Sequence, residues 1–529
     1  MNKYLITALC VSFSVFHVDH MLAQKDTVAI KYADLIDTKE LQKHLTILAS
    51  DEYEGRETGT KGQKMAAQYI AEYYNSIGVQ PVVNGSYFQS YPLKKESYSN
   101  SMASFNNESF KFVQDFYTMG VDFETLETDE FIFLGYGIED KNYNDYKKYD
   151  VKGKVVLCLL GEPLDKEGKS LITGTLTPSD WSADWRTKRE IAQQKGAKAI
   201  VMINMQYAMY IQRVKYWLEQ PAMDLEYPSK REITEPSIAT VFISPAFANK
   251  LFSAKKVTVE QLQKNIAIKK KSKKIVLREK LSFHMELKSE RLSAENVLCF
   301  IEGSDPVLKN EIVIISAHYD HIGIVNGQIN NGADDDGSGT VTTLELAKAF
   351  KKATDDGNGP KRSILILNVS GEEKGLLGSE WYAAFPIYPL ENTVCNLNID
   401  MIGRTDDAHK KEEYVYLIGS NKLSTELHAI SENANKTYTN LELDYTYNDP
   451  DDPNRFYYRS DHYNFAKNNI PVIFYFSGVH ADYHKPGDDV EKIRFEKMGT
   501  IGKLVFHTAW EVANRPEKLK VDVTNDFKR

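Results

Sequence analysis

The fold is decided by one stretch, residues 312–339, which reads IVIISAHYDHIGIVNGQINNGADDDGSG. Its first four residues, Ile312 to Ile315, form an apolar β-branched run that predicts a fully buried strand. The run leads to His318, and a turn rich in Gly and Asn then leads to three consecutive aspartates, residues 334–336. Unpaired carboxylates beside a buried strand are very costly, so a bound cation is the economical explanation. Histidine and aspartate as ligands favour zinc.

Three later apolar runs also lead into ionisable residues. The runs cover residues 364–369, 394–399 and 471–476, and they lead to Glu372 and Glu373, to Asp400, and through a loop to Tyr483 and His484. Open parallel sheets bind ligands beyond the carboxyl ends of their strands. The residues at these four strand ends therefore converge if the strands are neighbours. The sequence predicts an α/β fold with a metal site at one edge of its sheet.

This set of residue types matches what a pair of zinc ions requires. Two ions about 3.5–4 Å apart need a shared carboxylate, terminal ligands on each ion and a bridging water. That water loses a proton readily and becomes the nucleophile, while the metals polarise the scissile carbonyl. A free carboxylate must then pass the proton to the leaving amine. One of the adjacent Glu372 and Glu373 can bind metal while the other stays free, and Asp320 is placed to orient His318.

Each candidate has an ordinary structural explanation when it is taken alone. Adjacent glutamates can begin a helix, where acids favour the dipole, and consecutive aspartates can form a simple turn. The coincidence of four strand ends is what favours the metal site. No ligand role can be argued for three other histidines, which we expect to be structural: His321, His462 and His480.

The chain ends, cysteines and charge constrain the setting of the protein. Asn2 and Lys3 precede an apolar run from Tyr4 to Phe16, which predicts a cleaved export signal over residues 1–23 and no lasting membrane insertion. A net charge of −9 without a basic face argues against a nucleic-acid partner. The three cysteines outside that signal lie in apolar runs, which favours packing over disulfides and predicts a periplasmic or secreted bacterial protein: Cys158, Cys299 and Cys395.

The chain of 529 residues is too long for one compact core. After a helical region over residues 38–80, short apolar runs predict strands at 131–134, 155–160, 199–203 and 275–277, with a helix over 186–195. No cluster of acids, bases or nucleophiles occurs in that segment. We therefore expect residues 126–280 to form a non-catalytic inserted module within an α/β domain built from residues 24–125 and 281–529.

The motifs together resemble the dizinc exopeptidase family that contains bacterial leucyl aminopeptidases, glutamate carboxypeptidase II and the transferrin receptor. The matching pieces are residues 317–320, 332–337, 371–375, 398–401, 459–462 and 483–484. The resemblance implies a phosphorylase/hydrolase-like fold, with a mixed, mostly parallel central sheet and helices on both faces. It also implies that residues 126–280 are a β-rich protease-associated (PA) domain, which would bind substrate or mediate oligomerisation.

The resemblance further implies a role for each candidate residue. Asp335 would bridge two Zn²⁺ ions, His318 and Asp400 would complete one zinc site, and Glu373 and His484 would complete the other. Glu372 would be the general base, Asp320 the partner of His318, and Tyr457, or its neighbour Tyr458, the support of the carbonyl oxygen. The peptide bond between Asp335 and Asp336 would be cis.

We therefore predict a zinc-dependent exopeptidase, and specifically an aminopeptidase that removes N-terminal residues from peptide substrates. A carboxypeptidase or dipeptidase of the same family would need an arginine cluster, and only Arg404, Arg455 and Arg459 are candidates. A non-catalytic, receptor-like relative would lack ligands, whereas all five positions here hold competent residue types. A single-zinc glutaminyl cyclase is disfavoured for the same reason. No Gly-x-Ser-x-Gly elbow indicates a serine hydrolase.

Overall fold

The computed structural model describes residues 25–98, 100–119, 123–147, 149–227, 237–409 and 411–524, so the predicted export signal over residues 1–23 lies outside the described residues. Its α-helices are α1 (Thr27–Ala33), α2 (Thr38–Leu48), α3 (Lys61–Ser76), α4 (Asp180–Ala183), α5 (Arg186–Gln194), α6 (Tyr207–Glu219), α7 (Pro245–Leu251), α8 (Val259–Lys269), α9 (Gly339–Asp355), α10 (Leu377–Ala384), α11 (Thr425–Ala434), α12 (His462–Ala466) and α13 (Phe495–Asn514).

Its β-strands are β1 (Phe88–Ser97), β2 (Met102–Phe105), β3 (Glu108–Lys111), β4 (Phe116–Tyr117), β5 (Thr125–Thr128), β6 (Phe131–Phe133), β7 (Val155–Leu159), β8 (Ala199–Ile203), β9 (Ala222–Leu225), β10 (Ala239–Ile243), β11 (Ile275–Leu277), β12 (Leu281–His284), β13 (Lys288–Ile301), β14 (Ile312–His318), β15 (Gly323–Val325), β16 (Gln328–Asn330), β17 (Ser363–Val369), β18 (Thr393–Ile399), β19 (Tyr414–Ile418), β20 (Glu442–Asp444) and β21 (Val472–Phe476).

The chain divides into two compact units. One consists of the residues up to Tyr91 together with those from Ala294 onwards, and the other is Pro92–Ser293. The second unit is larger than the predicted 126–280, because β12 pairs with both β2 and β5 in one antiparallel sheet. Strands on either side of the predicted boundaries therefore belong together. Short polar strands such as Glu108–Lys111 carry too little apolar periodicity to be recognised in the sequence.

The first unit is built on a mixed sheet with the strand order β20-β19-β21-β18-β14-β17-β13-β1. Four adjacent strands are parallel to one another, in the order β17, β14, β18 and β21. On either side of this group, β13 pairs antiparallel with β17 and β19 pairs antiparallel with β21. The predicted α/β fold with a mostly parallel central sheet is therefore confirmed. Because those four strands are parallel, their carboxyl ends lie along the same edge of the sheet.

Helices cover both faces of this sheet, as predicted. Successive residues of a strand point to opposite faces, so Val313 and Ile315 belong to one apolar cluster while Ile314 belongs to another. The first cluster includes residues of α9 and α13, and the second includes Phe465 of α12 and Tyr382 of α10. Burial on both faces explains why β14 reads in the sequence as a continuous apolar run and not as an alternating one.

The second unit contains helices α4–α8 as well as two sheets. Its larger sheet has the order β11-β6-β7-β8-β10-β4, in which β6, β7, β8 and β10 are parallel. The strands and the helix predicted for this region are present, but the unit is an α/β structure and not merely β-rich. The likeness of this unit to a PA domain stays a prediction.

The three cysteines among the described residues are buried free thiols. Burial raises the pKa of Cys158 and Cys395 to about 12, which leaves both thiols unreactive at neutral pH. Among the helices that the structure describes, none is long and apolar enough to cross a membrane.

His44 of α2 is expected to make the stability of the protein sensitive to acid. Its Nδ1 lies 2.7 Å from the hydroxyl of Tyr69, and its side chain is buried. Burial lowers the pKa of His44 from 6.5 to about 4. The unfolded chain therefore binds a proton at His44 below about pH 6.5, whereas the folded protein does not until about pH 4, so stability falls as the pH falls through this window.

A His44→Gln variant should lose part of this sensitivity. Between pH 7 and pH 5 the free energy of unfolding should fall by about 1–2 kcal/mol less in the variant than in the parent protein. The measurement is urea unfolding of both proteins at the two pH values. The contributions of all other titratable groups cancel when the pH-dependent change in the variant is subtracted from that in the parent protein. The same pH-dependent change in both proteins would contradict the prediction.

Candidate metal centre

All five predicted ligands lie at the carboxyl edge of the parallel strands. His318 ends β14, Glu373 follows β17, Asp400 follows β18, His484 lies in the loop after β21, and Asp335 lies in the turn before α9. The neighbouring order of these strands brings together residues that are up to 166 positions apart in the chain (484 − 318). The convergence that the sequence predicts is therefore present.

His318, Asp335 and Asp400 form the first ligand group. His318 Nε2 lies 3.3 Å from Asp335 Oδ1 and 3.7 Å from Asp400 Oδ1. All three side chains are buried, and one ligand atom from each lies within 4.8 Å of the others. Ligand atoms about 2.0–2.1 Å from a tetrahedral zinc would be separated by roughly 3.3 Å, so the observed spacing fits one such ion.

Glu373 and His484 form the second group with the other oxygen of Asp335. His484 Nε2 lies 3.1 Å from Asp335 Oδ2 and 3.2 Å from Glu373 Oε2. Asp335 thus faces the first group with Oδ1 and the second group with Oδ2. This is the arrangement that a bridging carboxylate requires. The peptide bond between Asp335 and Asp336 is cis.

His321 also belongs to the second group, which differs from the structural role expected for it. Its Nδ1 lies 2.9 Å from Glu373 Oε1 and 3.7 Å from Asp335 Oδ2, and the three residues form a possible metal site. His321 lies three residues beyond His318, just after the same strand, and this position was the signal in the sequence. The other two histidines lie elsewhere: His462 stacks on Phe474, and His480 Nε2 is 3.4 Å from Asp334 Oδ2.

Several buried polar atoms of this centre lack a hydrogen-bond partner. They are both ring nitrogens of His321, Asp335 Oδ2 and Glu373 Oε1. His321 Nδ1 and Glu373 Oε1 are close enough for a hydrogen bond but are not aligned for one. Buried polar atoms without partners are costly and rare. Because these atoms converge on one another, a divalent cation among them would satisfy them together.

The charges of the centre favour the same occupant. Burial alone would lower the pKa of His318, but the carboxylates of Glu372 and Asp400 outweigh it and raise that pKa well above its ordinary value. Burial alone would raise the pKa of Asp335, but His318, His321 and His484 hold it well below its ordinary value. The centre therefore has an excess of negative potential that attracts cations.

Glu372 is a half-buried residue beside the two groups but outside both of them. It lines a cavity of about 370 Å³ together with His318, Asp335, Asp400 and His484. Burial and the neighbouring carboxylates raise the pKa of Glu372 well above its ordinary value. Of the two adjacent glutamates, Glu373 thus faces the ligands and Glu372 faces the open space where a reacting molecule would lie.

Asp320 supports both His318 and Glu372. Its backbone carbonyl lies 3.1 Å from His318 Nδ1, and its Oδ1 lies 3.7 Å from the same atom. The backbone N–H of Glu372 donates to Asp320 Oδ1, and the hydroxyl of Thr58 donates to Oδ2. The predicted partner of His318 therefore also fixes the backbone of Glu372, and the closest contact with the imidazole comes from its main chain.

Among the described residues, Tyr457 lines a different cavity from that of the candidate ligands. Its ring packs against Gly419 and lies 5.1 Å from Lys422 Nζ, and it lines a separate cavity with Tyr458. Residues 456–458 form a tight turn in which successive side chains diverge, and it is Phe456 that lines the cavity of the metal centre. The role of Tyr457 or Tyr458 at the carbonyl oxygen stays a prediction.

Tyr483 is the tyrosine that lines the cavity of the metal centre. Its ring stacks on His484 with 3.9 Å between ring centroids. Burial and the nearby Asp335 and Glu373 raise the pKa of Tyr483, so its hydroxyl stays protonated at neutral pH. Its position directly before His484 was visible in the sequence, but nothing there distinguished it from Tyr457.

Arg56 and Asp488 hold the turn that carries Asp335. The buried guanidinium of Arg56 donates to four backbone carbonyls, including those of Asn331 and Gly332. The carboxylate of Asp488 accepts the backbone N–H groups of Asp334 and Asp335 at 3.0–3.1 Å. Sequence reasoning did not identify Asp488, because a carboxylate that binds backbone groups follows no spacing rule.

An Asp488→Asn variant is expected to bind zinc about 10- to 100-fold more weakly, because the amide can accept only one of these backbone bonds well. Competition with a fluorescent chelator measures the affinity. The matched control is Asp489→Asn, in which the neighbouring, half-buried carboxylate near Asn331 is changed and affinity should persist. Equal zinc affinity in both variants would refute this positioning role.

The ligand groups together form a candidate metal centre at the carboxyl edge of the parallel strands of an α/β fold. Residues 296–509 match the model of Peptidase family M28. The chain is 28% identical to aminopeptidase YwaD of Bacillus subtilis over 217 residues. This aligned region covers 40% of this chain and 43% of YwaD. It is 32% identical over 220 residues to a probable leucine aminopeptidase of Arthroderma otae, covering 39% and 56%.

A probable zinc metalloprotease of Pyrenophora tritici-repentis is 28% identical over 270 residues, which cover 42% of this chain and 53% of that protein. The chain thus spans about half the length of the curated relatives that it matches. Among solved structures, the aminopeptidase from Aneurinibacillus sp. strain AM-1 matches 94% of this chain and 98% of its own, with a TM-score of 0.54 and 18% identity. That likeness confirms the fold.

Proposed function

We propose that this protein is a zinc-dependent aminopeptidase that holds two Zn²⁺ ions and removes N-terminal residues from peptides. The observation that carries the proposal is the pair of ligand groups that share the two oxygens of Asp335. The matching family is a peptidase family, and relatives named aminopeptidase and zinc metalloprotease support the same activity.

His318, Asp400 and Asp335 would hold one ion, and Glu373, His484 and Asp335 would hold the other. When bound, the ions would supply Lewis acidity toward the peptide carbonyl and would lower the pKa of the attacking water. Glu372 would accept the proton from that water and deliver it to the amine of the leaving group. The position of Glu372 in the same cavity, outside both ligand groups, supports this assignment.

The remaining wall of the cavity indicates which end of a peptide enters it. Five of the other lining residues are apolar, and they are Met401, Phe456, Phe474, Phe476 and Val479. Such a wall favours a large apolar side chain, whereas the surrounding carboxylates favour the positive charge of a free amine. An N-terminal residue such as leucine or phenylalanine combines these two features.

A carboxypeptidase of the same family is the second candidate, and the arginines argue against it. Arg404 donates to Asp482 and lies 3.8 Å from Asp488, and Arg455 stacks on Tyr458 beside the separate cavity. Of the three arginines considered as a carboxylate clamp, Arg459 alone lines the cavity of the metal centre. The cluster that a carboxypeptidase would need is therefore not assembled among the described residues.

The test is a panel of substrates given to the zinc-loaded protein. Leucyl- and phenylalanyl-p-nitroanilide should be hydrolysed faster than glutamyl-p-nitroanilide, and N-acetylated leucyl-p-nitroanilide should not be hydrolysed. Release of C-terminal glutamate from an N-blocked peptide would overturn the aminopeptidase proposal in favour of a carboxypeptidase. Absence of hydrolysis from a zinc-replete protein would favour a non-catalytic relative.

We also infer that the chain is exported by its N-terminal segment and that the second unit binds substrate or mediates oligomerisation. The first inference rests on the apolar run between Tyr4 and Phe16, and the second on the resemblance of this unit to a PA domain. Cell fractionation with N-terminal sequencing of the mature protein tests the first. Retention of residues 1–23 in a cytosolic protein would refute it.

A further inference from the structure

Arg459 contributes a positive charge to a cavity whose other ionisable lining residues are carboxylates, histidines and one tyrosine. Its guanidinium carbon lies 5.0 Å from the centroid of the Phe456 ring, and both side chains line the cavity. Stacking on the ring fixes the direction of a side chain that would otherwise be free to move in solvent. Arg459 is exposed, so its guanidinium is open to a ligand.

Arg459 differs in its partners from five other described arginines of the first unit. Four of them form ion pairs: Arg362 with Glu311, Arg404 with Asp482, Arg494 with Glu412 and Arg515 with Glu426. The buried Arg56 donates to backbone carbonyls instead. Within the described part of the chain, no carboxylate lies within 4.0 Å of the guanidinium of Arg459, although several carboxylates line the same cavity. A cation in this position is available to an anion that enters with the substrate.

A carboxylate is the anion that fits this position. A planar guanidinium binds a carboxylate through two parallel hydrogen bonds, which fixes both its distance and its orientation. Because the positive charge of Arg459 would repel the free amine of a substrate, an anion bound there would belong to the leaving-group side of the peptide bond. Arg459 lines the same cavity as Glu372 and the candidate metal ligands, so an anion that it binds must lie close to the scissile bond.

We propose that Arg459 binds the C-terminal α-carboxylate of short peptides, so that the enzyme prefers di- and tripeptides with a free carboxylate over longer or blocked substrates. Only in short peptides does the α-carboxylate lie close enough to the scissile bond to reach the same cavity. This proposal rests on the proposed aminopeptidase function and names its substrate class. Arg459 is then a specificity-determining residue and takes no part in the proton transfer.

The test compares leucyl-leucine with leucyl-leucine amide, which differ only in the terminal carboxylate. The parent protein should cleave the free acid with the higher kcat/KM. Arg459→Gln should lower kcat/KM for the free acid by about 10- to 100-fold, mainly through KM, because a charged hydrogen-bonded pair is lost. The same variant should cleave the amide within about twofold of the parent protein, since the machinery around Glu372 is unchanged.

Two further variants make the comparison specific. Arg459→Lys keeps the charge without the two-pronged geometry and should give an intermediate loss for the free acid. Arg455→Gln removes a neighbouring arginine that stacks on Tyr458 outside the cavity and should leave both rates unchanged. Coincident thermal unfolding curves of the variants and the parent protein establish that folding is not the cause of any loss.

Three results would overturn the proposal. Equal kcat/KM for the acid and the amide in the parent protein would show that no carboxylate is recognised. An equal loss on both substrates in Arg459→Gln would place the residue at the peptide bond itself. A preference that appears only with an acidic side chain after the scissile bond, as in leucyl-glutamate amide, would assign the pair to that side chain. Hydrolysis of neither peptide by the zinc-loaded parent would instead refute the proposed function, and this proposal with it.

Discussion

Glu372→Gln is expected to keep its zinc and its fold but to lose about 10²–10⁴-fold in kcat, because only proton transfer is removed. Glutamine has nearly the same shape as glutamate, and Glu372 lies outside both ligand groups. Its backbone bond to Asp320 is unaffected by the change. KM should change little, since the apolar wall and the ligands that orient the substrate remain.

Steady-state kinetics with leucyl-p-nitroanilide and zinc analysis of the same preparation test this expectation together. The matched control is Glu57→Gln, in which a carboxylate paired with Lys374 is changed without touching the residues that line the cavity. The control should retain activity. A Glu372→Gln variant with near-normal kcat would refute the base assignment, and loss of zinc from it would mean that Glu372 is a ligand.

Removal of metal should abolish activity completely, and Zn²⁺ should restore it. The two ligand groups are made of imidazole and carboxylate donors, which suit zinc, whereas Mg²⁺ prefers oxygen donors and should restore little. The metal-free protein should also unfold at a lower temperature, because the carboxylates of four buried or half-buried residues would then lie together with only the imidazoles of His318 and His484 to offset their charge: Asp335, Glu372, Glu373 and Asp400.

Dialysis against a chelator, followed by stepwise addition of each metal, gives both activity and thermal unfolding curves. Dialysis without chelator is the control for losses that are unrelated to metal. Full activity in a protein shown by elemental analysis to be free of metal would exclude metal catalysis. Unchanged thermal stability would indicate that the buried carboxylates are neutralised by other means.

Much of the first unit could be predicted from the sequence because its strands are buried on both faces. Such strands appear as continuous apolar runs, and β14, β17, β18 and β21 lie where those runs are. The candidate ligands follow these runs in the sequence. Because open parallel sheets bind ligands beyond the carboxyl ends of their strands, this placement was enough to predict that the candidate ligands lie close together. The bridging position of Asp335 came from the family resemblance and not from spacing.

The remainder depends on tertiary contacts that have no local signal. The position of His321 just after β14 is visible in the sequence, but the direction of its ring toward Glu373 is set by the loop and is not. Asp488 acts through backbone groups 153 and 154 positions earlier in the chain. Phe456 lines the cavity, but nothing in the sequence around the Ser-Asp-His motif distinguishes it from its neighbours.

The boundaries of the second unit were missed for a related reason. The strands β2, β5 and β12 are each four residues long, and several of their residues are polar or exposed. Strands of this kind gain their stability from pairing with one another and not from a long apolar run. Their membership in one sheet becomes visible only when both ends of the insertion are seen together.

The central claim is that Asp335 joins two metal sites, and the most direct test is the number of zinc ions bound per chain. Equilibrium dialysis with elemental analysis should give two zinc ions for the parent protein, and Asp335→Ala should bind fewer than two, with activity lost. A parent protein that saturates at one zinc, or an Asp335→Ala variant that still binds two, would contradict the account.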